Sequence, residues 1–271
     1  MGLPEVVRGL IGLFSRELPA EEVASRPAIV FAPHPDDETL IAGGAIAMKR
    51  ARGTPVTVVY MTDGSASKLK VDDVVALRRR EAIAACAALG VDEADIVFLD
   101  FPDGDLEASS GAAAESVFRL LTDRAGFELY APFRDDGHPD HEATTRAVLS
   151  ACEQTGQSWR LHEAPIWFWY RYPVVASPEL GLKGRIEDFR DLLKGLFPTR
   201  MARIDARAWR ERKQAALGAH RSQMTREHGL EEPALPEIAR GRWLACLLAS
   251  PELYRRSLVG GAVSAGSDAC Q

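Results

Sequence analysis

The stretch AIVFAPHPDDE, residues 28–38, joins a short apolar run to a group of ionisable side chains. A run such as AIVFA (28–32), stopped by Pro33, reads as a strand buried on both faces. The pattern recurs along the first half of the chain. VTVVYM (56–61) ends in Thr62-Asp63-Gly64-Ser65, DIVFLD (95–100) ends at Pro102-Asp103-Gly104, and ELYAP (128–132) runs into the segment from Arg134 to His141. Helical stretches separate them, at 39–52, at 74–89 with Gly90 as the stop, at 112–124 and at 141–152. Apolar strands alternating with helices predict an α/β fold class with a mostly parallel sheet covered on both faces. In such sheets ligands bind beyond the carboxyl ends of the strands. Those ends deliver His34 to Glu38, then Asp63, then Asp103, then Arg134 to His141.

Length and composition agree with one such domain. The chain has 271 residues, 46% of them hydrophobic and 27% charged, enough to bury a sizeable core. We divide residues 1–271 into an N-terminal helix (1–26), a core carrying the ionisable motifs (27–155), a C-terminal elaboration (156–259) and a flexible tail (260–271). In the elaboration, IWFWYRYP (166–173) is expected to form a strand or a pocket wall. Helices are expected at 186–196, 209–220 and 238–248, and a short strand at 201–206. A net charge of −6 argues against a nucleic-acid partner, and Arg78, Arg79 and Arg80 read mainly as a solvated helix face. The cysteines at 86, 152, 246 and 270 are scattered, which points to a reducing, cytoplasmic compartment. MGLPEVVRGLIGLF at the start is too short for an integral membrane segment and wrong for a signal peptide, and reads as an amphipathic docking helix. No G-x-G-x-x-G follows the first strand, so a dinucleotide site is not expected.

Two clusters carry the chemistry: His34-Pro35-Asp36-Asp37-Glu38 and His138-Pro139-Asp140-His141. Either alone reads as a turn or a solvated helix start; both at strand ends of one sheet point to a metal. A catalytic zinc takes about three protein ligands and keeps a place for water, and two histidines with one carboxylate can be assembled from these loops. Adjacent Asp36 and Asp37 do not readily ligate one ion in the same geometry, which leaves one free as a base. His138 and His141 are close enough in sequence to share a site at a helix start. The same donor types would suit a non-haem Fe(II) enzyme, although those usually show H-x-[DE] spacing in an all-β pattern, against H-x-x-D in an α/β pattern here.

The motif A-x-H-P-D-D-E with a later H-P-D-H resembles the LmbE-like or PIG-L-type deacetylase family. Arg78-x-x-Glu81 with Ala85 and Leu89-Gly90, Asp103 in Phe-Pro-Asp-Gly, and Lys213-x-x-Ala216…His220-x-Ser222-Gln223 extend the resemblance over residues 28–223. The resemblance implies a Rossmann-like three-layer sandwich and a zinc-dependent hydrolase that removes an N-acetyl or other N-acyl group from an amino sugar or its conjugate. It assigns one Zn2+, with Fe2+ as the alternative, to His34, Asp37 and His141. Asp36 becomes the general base. His138 becomes the group that stabilises the oxyanion or protonates the leaving amine, oriented by Asp140. Arg78 and Asp103 become sugar contacts, and Glu38 orients its neighbours from behind the ligands. Some relatives carry a Tyr two residues before His138. Here Asp136 stands there, which predicts a more acidic pocket rim, with His162, Tyr170 and Tyr172 as substitutes for the Tyr. The expected partner is a small-molecule N-acylated sugar or glycoconjugate, with self-association left open. A non-catalytic sugar-binding module would lack a base or an acid, and both Asp36 and His138 are present. Which acyl sugar is bound is left to loops 63–73, 103–112 and 154–200.

Overall fold

A computed structural model describes residues 3–170, 183, 184, 186, 187 and 201–261. The strands are β1 (Arg16–Glu17), β2 (Ala28–Ala32), β3 (Val56–Thr62), β4 (Ile96–Phe101), β5 (Glu128–Pro132), β6 (Trp159–Ala164), β7 (Met201–Ile204) and β8 (Glu252–Val259). They form one sheet in the order β1-β7-β8-β6-β5-β2-β3-β4. The pairs from β4 across to β6 are all parallel, and β8 runs antiparallel to both β6 and β7. The principal helices are α1 (Leu3–Phe14), α2 (Ala20–Ser25), α3 (Asp37–Ala51), α4 (Val74–Leu89), α5 (Ser110–Leu121), α6 (Pro139–Thr155), α7 (Arg210–Ala219), α8 (Arg221–Met224) and α9 (Arg242–Leu248). None is long and apolar enough to cross a membrane.

Alternation along each strand feeds two cores. In β2, Ala28, Val30 and Ala32 pack with Leu40, Ile41 and Ile46 of α3 and with Ala82 and Ala85 of α4. Ile29 and Phe31 face the other way, onto Val117 and Leu121 of α5 and Ala147 and Val148 of α6. Both faces being covered is why the strand is apolar throughout. The chain runs β2-β3-β4 toward one edge and then returns to place β5 on the other side of β2. That reversal makes a switch point at the carboxyl ends of β2 and β5, the place where open α/β sheets bind ligands, and the two histidine motifs begin there.

The sequence reading finds β2 to β5 and α4 within a residue or two and misses β6 and β8. WRLHEA in β6 buries His162 and Glu163, charges that a strand tolerates only when paired. Glu163 binds Arg134 at 2.7 Å and Arg255 at 3.1 Å. The segment expected as a strand or pocket wall at 166–173 is a short 3-10 turn over Trp167–Tyr170, and residues 171–173 lie outside the described residues. So do the helix at 186–196, apart from its first two positions, and the tail beyond Gly261.

β8 also repairs a break in α3. Ala42 leaves helical geometry (φ −145°, ψ 20°), and the Glu252 carboxylate accepts from the freed N–H groups of Gly44 and Ala45 at 2.8 and 3.1 Å. Lys213 Nζ neutralises that carboxylate at 2.6 Å. A Cβ on Gly44 would lie 2.4 Å from Ala206 Cβ, so glycine is required for this approach.

At the opposite end of the sheet, Glu128 accepts from buried Lys49 Nζ at 2.5 Å and from Tyr130 at 2.8 Å, and lies 3.3 Å from His162 Nε2. Burial works against its charge, but His162 and Lys49 outweigh it and hold Glu128 at about 2. A carboxylate held low contributes stability that is present above its ordinary value near 4.5 and is lost as pH falls toward 2. Glu128→Gln, which strands the Lys49 ammonium, should cost about 3–5 kcal/mol at neutral pH. In urea unfolding at pH 7 and pH 3 the gap to wild type should narrow at the lower pH; an unchanged gap would contradict this.

Candidate metal centre

The loop after β2 turns sharply. Pro35 has no N–H to satisfy, and the Asp37 N–H closes the turn on the His34 carbonyl at 3.2 Å. Asp36 has φ 126° and ψ −28°, a region that costs a non-glycine residue on the order of 1–3 kcal/mol and is kept only where the surroundings enforce it. Glu38, fully buried, accepts the Asp36 N–H at 3.0 Å. The loop after β5 enters α6 with His138 as the residue before the helix and Pro139 in its first turn.

Together these loops bring His34, Asp37 and His141 into one cluster, with one donor atom from each lying within 4.8 Å of the others. Asp37 Oδ2 is 3.1 Å from His34 Nδ1 and 3.3 Å from His141 Nε2. The far nitrogen of each imidazole is tied to a carboxylate. His34 Nε2 lies 3.1 Å from both Asp103 Oδ1 and Asp140 Oδ2. His141 Nδ1 lies 2.9 Å from Asp136 Oδ2. A carboxylate behind each histidine fixes the tautomer that presents the other nitrogen to a metal. His141 Nε2 is buried and makes no hydrogen bond, the state of a nitrogen awaiting a ligand. The donor set therefore fits a divalent ion. A second grouping, His34, His138 and Asp140, meets the same distance limit, but its Asp140 oxygens already accept the N–H groups of Gly104 and Leu106 at 2.8 and 3.1 Å.

Three expectations change. Asp136 is not on an acidic rim: it is fully buried, and besides His141 it accepts the backbone N–H groups of Ile166, Trp167 and Phe168 at 2.8–3.1 Å. Asp140 holds His34 and the 104–106 loop rather than orienting His138, whose Nδ1 is buried without a partner. Arg78 is turned inward: Nη1 donates to Gly64 O and Ser67 Oγ, and Nη2 donates to Pro35 O and lies 3.3 Å from Asp36 Oδ2. Asp103 likewise faces His34 and accepts the Ala66 N–H at 3.0 Å. The structure thus assembles Arg78 and Asp103 around the ionisable loops. Of the proposed substitutes for the missing Tyr, His162 sits in the buried Glu128 cluster and Tyr172 lies outside the described residues.

The electrostatics follow from burial. Desolvation, together with the neighbouring Asp37 charge, raises Asp36 to about 7 against the opposing pull of Arg78. His138 is pushed down to about 4 by burial and by the other two imidazoles. Its ring lies 4.7 Å from that of His141 and 6.2 Å from that of Trp167, and Trp167 stacks on Trp243 at 4.8 Å. Trp167, in the run expected as a strand or a pocket wall, stands beside His138 with Trp243, which no local pattern in the sequence singles out. A separate cavity of about 620 Å3 lies beside α1; two of its arginines, Arg203 and Arg207, are paired to Glu17 and Asp205, and among the described residues it holds no cluster of metal donors.

The family model for GlcNAc-PI de-N-acetylase (PIG-L) matches residues 29–152. A 1D-myo-inositol 2-acetamido-2-deoxy-alpha-D-glucopyranoside deacetylase of Saccharomonospora viridis is 30% identical over 232 residues, covering 71% of this chain and 83% of that protein. The chain belongs to the PIG-L family. A probable N-acetyl-alpha-D-glucosaminyl L-malate deacetylase 2 of Bacillus cereus is 28% identical over 209 residues, 73% of this chain and 84% of the relative. Among solved structures, a deacetylase from teicoplanin biosynthesis superposes with a TM-score of 0.60 at 20% identity, covering 88% of this chain and all of that one. The N,N'-diacetylchitobiose deacetylase of Pyrococcus horikoshii gives 0.54 at 19%, covering 95% and 91%. At such identities these two show that the fold is shared.

Asp136→Asn keeps the shape behind His141 and removes the charge. Competition with a chelator should show zinc held about 10–100-fold more weakly; an unchanged affinity would mean that Asp136 serves only the 166–168 backbone.

Proposed function

We propose that this chain is a zinc-dependent hydrolase that removes an N-acetyl or related N-acyl group from an amino sugar or its conjugate. The observation that supports this best is the pair of imidazoles converging on Asp37, each backed by a buried carboxylate, beside a further aspartate and a further histidine. His34, Asp37 and His141 would hold the ion. A divalent metal there supplies Lewis acidity for an acyl carbonyl and lowers the pKa of a water.

The chain's own residues do the rest. Asp36 is the general base: it takes a proton from the attacking water, and Arg78 sits against its Oδ2. His138, on the other motif, donates to the oxygen that gains charge as the amide carbonyl is attacked, or passes the proton to the departing amine. The amide C–N bond breaks as the proton taken by Asp36 reaches the departing nitrogen, the remaining acid proton passes to the amine, and a carboxylate and an ammonium leave with Asp36 and His138 back in their starting states. Asp140 and Asp103 keep His34 in one orientation, and Asp136 does the same for His141. Trp167 beside His138 is placed to pack on the apolar face of a sugar ring.

The relatives' names supply the substrates to try: N-acetylglucosaminyl L-malate, the 2-acetamido-2-deoxy-glucopyranoside of myo-inositol, and N,N'-diacetylchitobiose. Amine release from at least one is expected with zinc, abolished by chelation and restored by zinc. Asp36→Asn should lower kcat by about 100–10,000-fold while still binding zinc. Equal activity of wild type and Asp36→Asn on every substrate hydrolysed would overturn the assignment of the base, and restoration by Fe2+ with oxygen uptake would overturn the hydrolytic reading.

A further inference from the structure

We propose that the turn His220–Gln223, far along the chain from both metal motifs, is a clamp that positions Asp36, with His220 as its principal positioning residue. The inference rests on the reading of Asp36 as the general base.

Two arms lead from this turn to Asp36. In the first, His220 Nε2 lies 2.9 Å from Glu38 Oε1, with both side chains fully buried. The other oxygen of Glu38 accepts the Asp36 N–H at 3.0 Å. That bond holds the one residue in the loop whose φ lies at 126°. Glu38 spans a short distance in sequence but cannot hold itself: a carboxylate without a buried partner in this place would pull toward water. Thr39 Oγ1 donates to Glu38 Oε1 at 2.5 Å, but from the next residue of the same segment; His220 is a partner that ties Glu38 to an element outside it. In the second arm, Gln223 Nε2 donates to Ser67 Oγ at 3.3 Å, and the same oxygen accepts from Arg78 Nη1 at 2.9 Å. Arg78 Nη2 in turn stands 3.3 Å from Asp36 Oδ2. One arm therefore fixes the Asp36 backbone and the other its carboxylate.

The turn is itself anchored. Its backbone closes through Gln223 N and Met224 N onto the His220 carbonyl at 3.0 and 2.9 Å. Ser222 binds Glu81 of α4 through its N–H at 2.8 Å and its hydroxyl at 2.5 Å. Arg78 and Glu81 lie on the same helix, so the turn and the guanidinium are fixed to one rigid element. Among the described residues, neither His220, Ser222 nor Gln223 makes a hydrogen bond to His34, Asp37 or His141, so the turn reaches the base without touching the residues that would hold the ion.

The test uses full-length His220→Ala, His220→Gln and Gln223→Ala. His162→Ala serves as the control, a histidine paired with a buried carboxylate in the same way at the opposite end of the sheet. In a crystal structure of His220→Ala prepared without metal, Asp36 should leave φ 126° and lose the Glu38 contact. On whichever acetylated sugar the wild type hydrolyses, kcat should fall about 10–100-fold, with KM and zinc affinity unchanged. His220→Gln, which keeps an N–H for Glu38, should recover most of the rate. His162→Ala should lose stability but not kcat. Gln223 is partly exposed, so Gln223→Ala should fold even where His220→Ala does not, and should lower kcat alone. Asp36 unmoved in the His220→Ala crystal, or kcat unchanged in both His220→Ala and Gln223→Ala, overturns the proposal. Failure of the wild type to hydrolyse any acetylated sugar counts against the deacetylase reading, and the crystal arm then still decides the clamp.

Discussion

Asp36, Asp37, Glu38, Asp136 and Asp140 are all nearly or fully buried along one edge of the sheet. Removing that many carboxylates from water is tolerable only if each finds donors or opposite charge. The compensation is specific: His34 and His141 with Asp37, Asp140 and Asp103 with His34, Asp136 with His141, Arg78 with Asp36, and His220 with Glu38. These pairings dictate where loops can lie and which helices must meet. The sheet reversal at β2 and β5 supplies the place, and the charge balance supplies the shape.

The C-terminal half is bound into this balance rather than appended to it. Asp136 ties the histidine at the start of α6 to the backbone of residues 166–168, and so to Trp167 and the wall beside His138. Glu252 of β8 mends the break in α3, the helix that begins at Asp37. His220 completes the pairing of Glu38. Each link joins a residue of the first half to a partner far along the chain, so the geometry of the cluster depends on the whole sheet having formed.

This explains what could be read in the sequence. β2 to β5 are apolar runs between helices, and a buried parallel strand leaves that local mark. His34, Asp37 and His141 stand out because two short motifs of rare composition fall at two strand ends. β6 and β8 leave no such mark, since WRLHEA and ELYRRSLV carry charges whose partners, Glu128, Arg134 and Glu163, are distant in the chain. The roles of Asp136, Asp140 and Arg78 were hidden for the same reason. Their spacing places them in the right loops, but only the fold decides that Asp140 meets His34 rather than His138, and that Arg78 turns inward to Asp36.

The central claim is that the carboxylates behind His34 and His141 select the nitrogens offered to a metal. Anomalous diffraction at the zinc edge, on crystals of the zinc-loaded protein, tests it most directly. The account predicts one peak about 2.0–2.2 Å from His34 Nδ1, an Asp37 oxygen and His141 Nε2, with Asp136 and Asp140 still hydrogen-bonded behind. A peak bounded instead by His34 Nε2, His138 and Asp140, or no peak at this edge of the sheet, would contradict it.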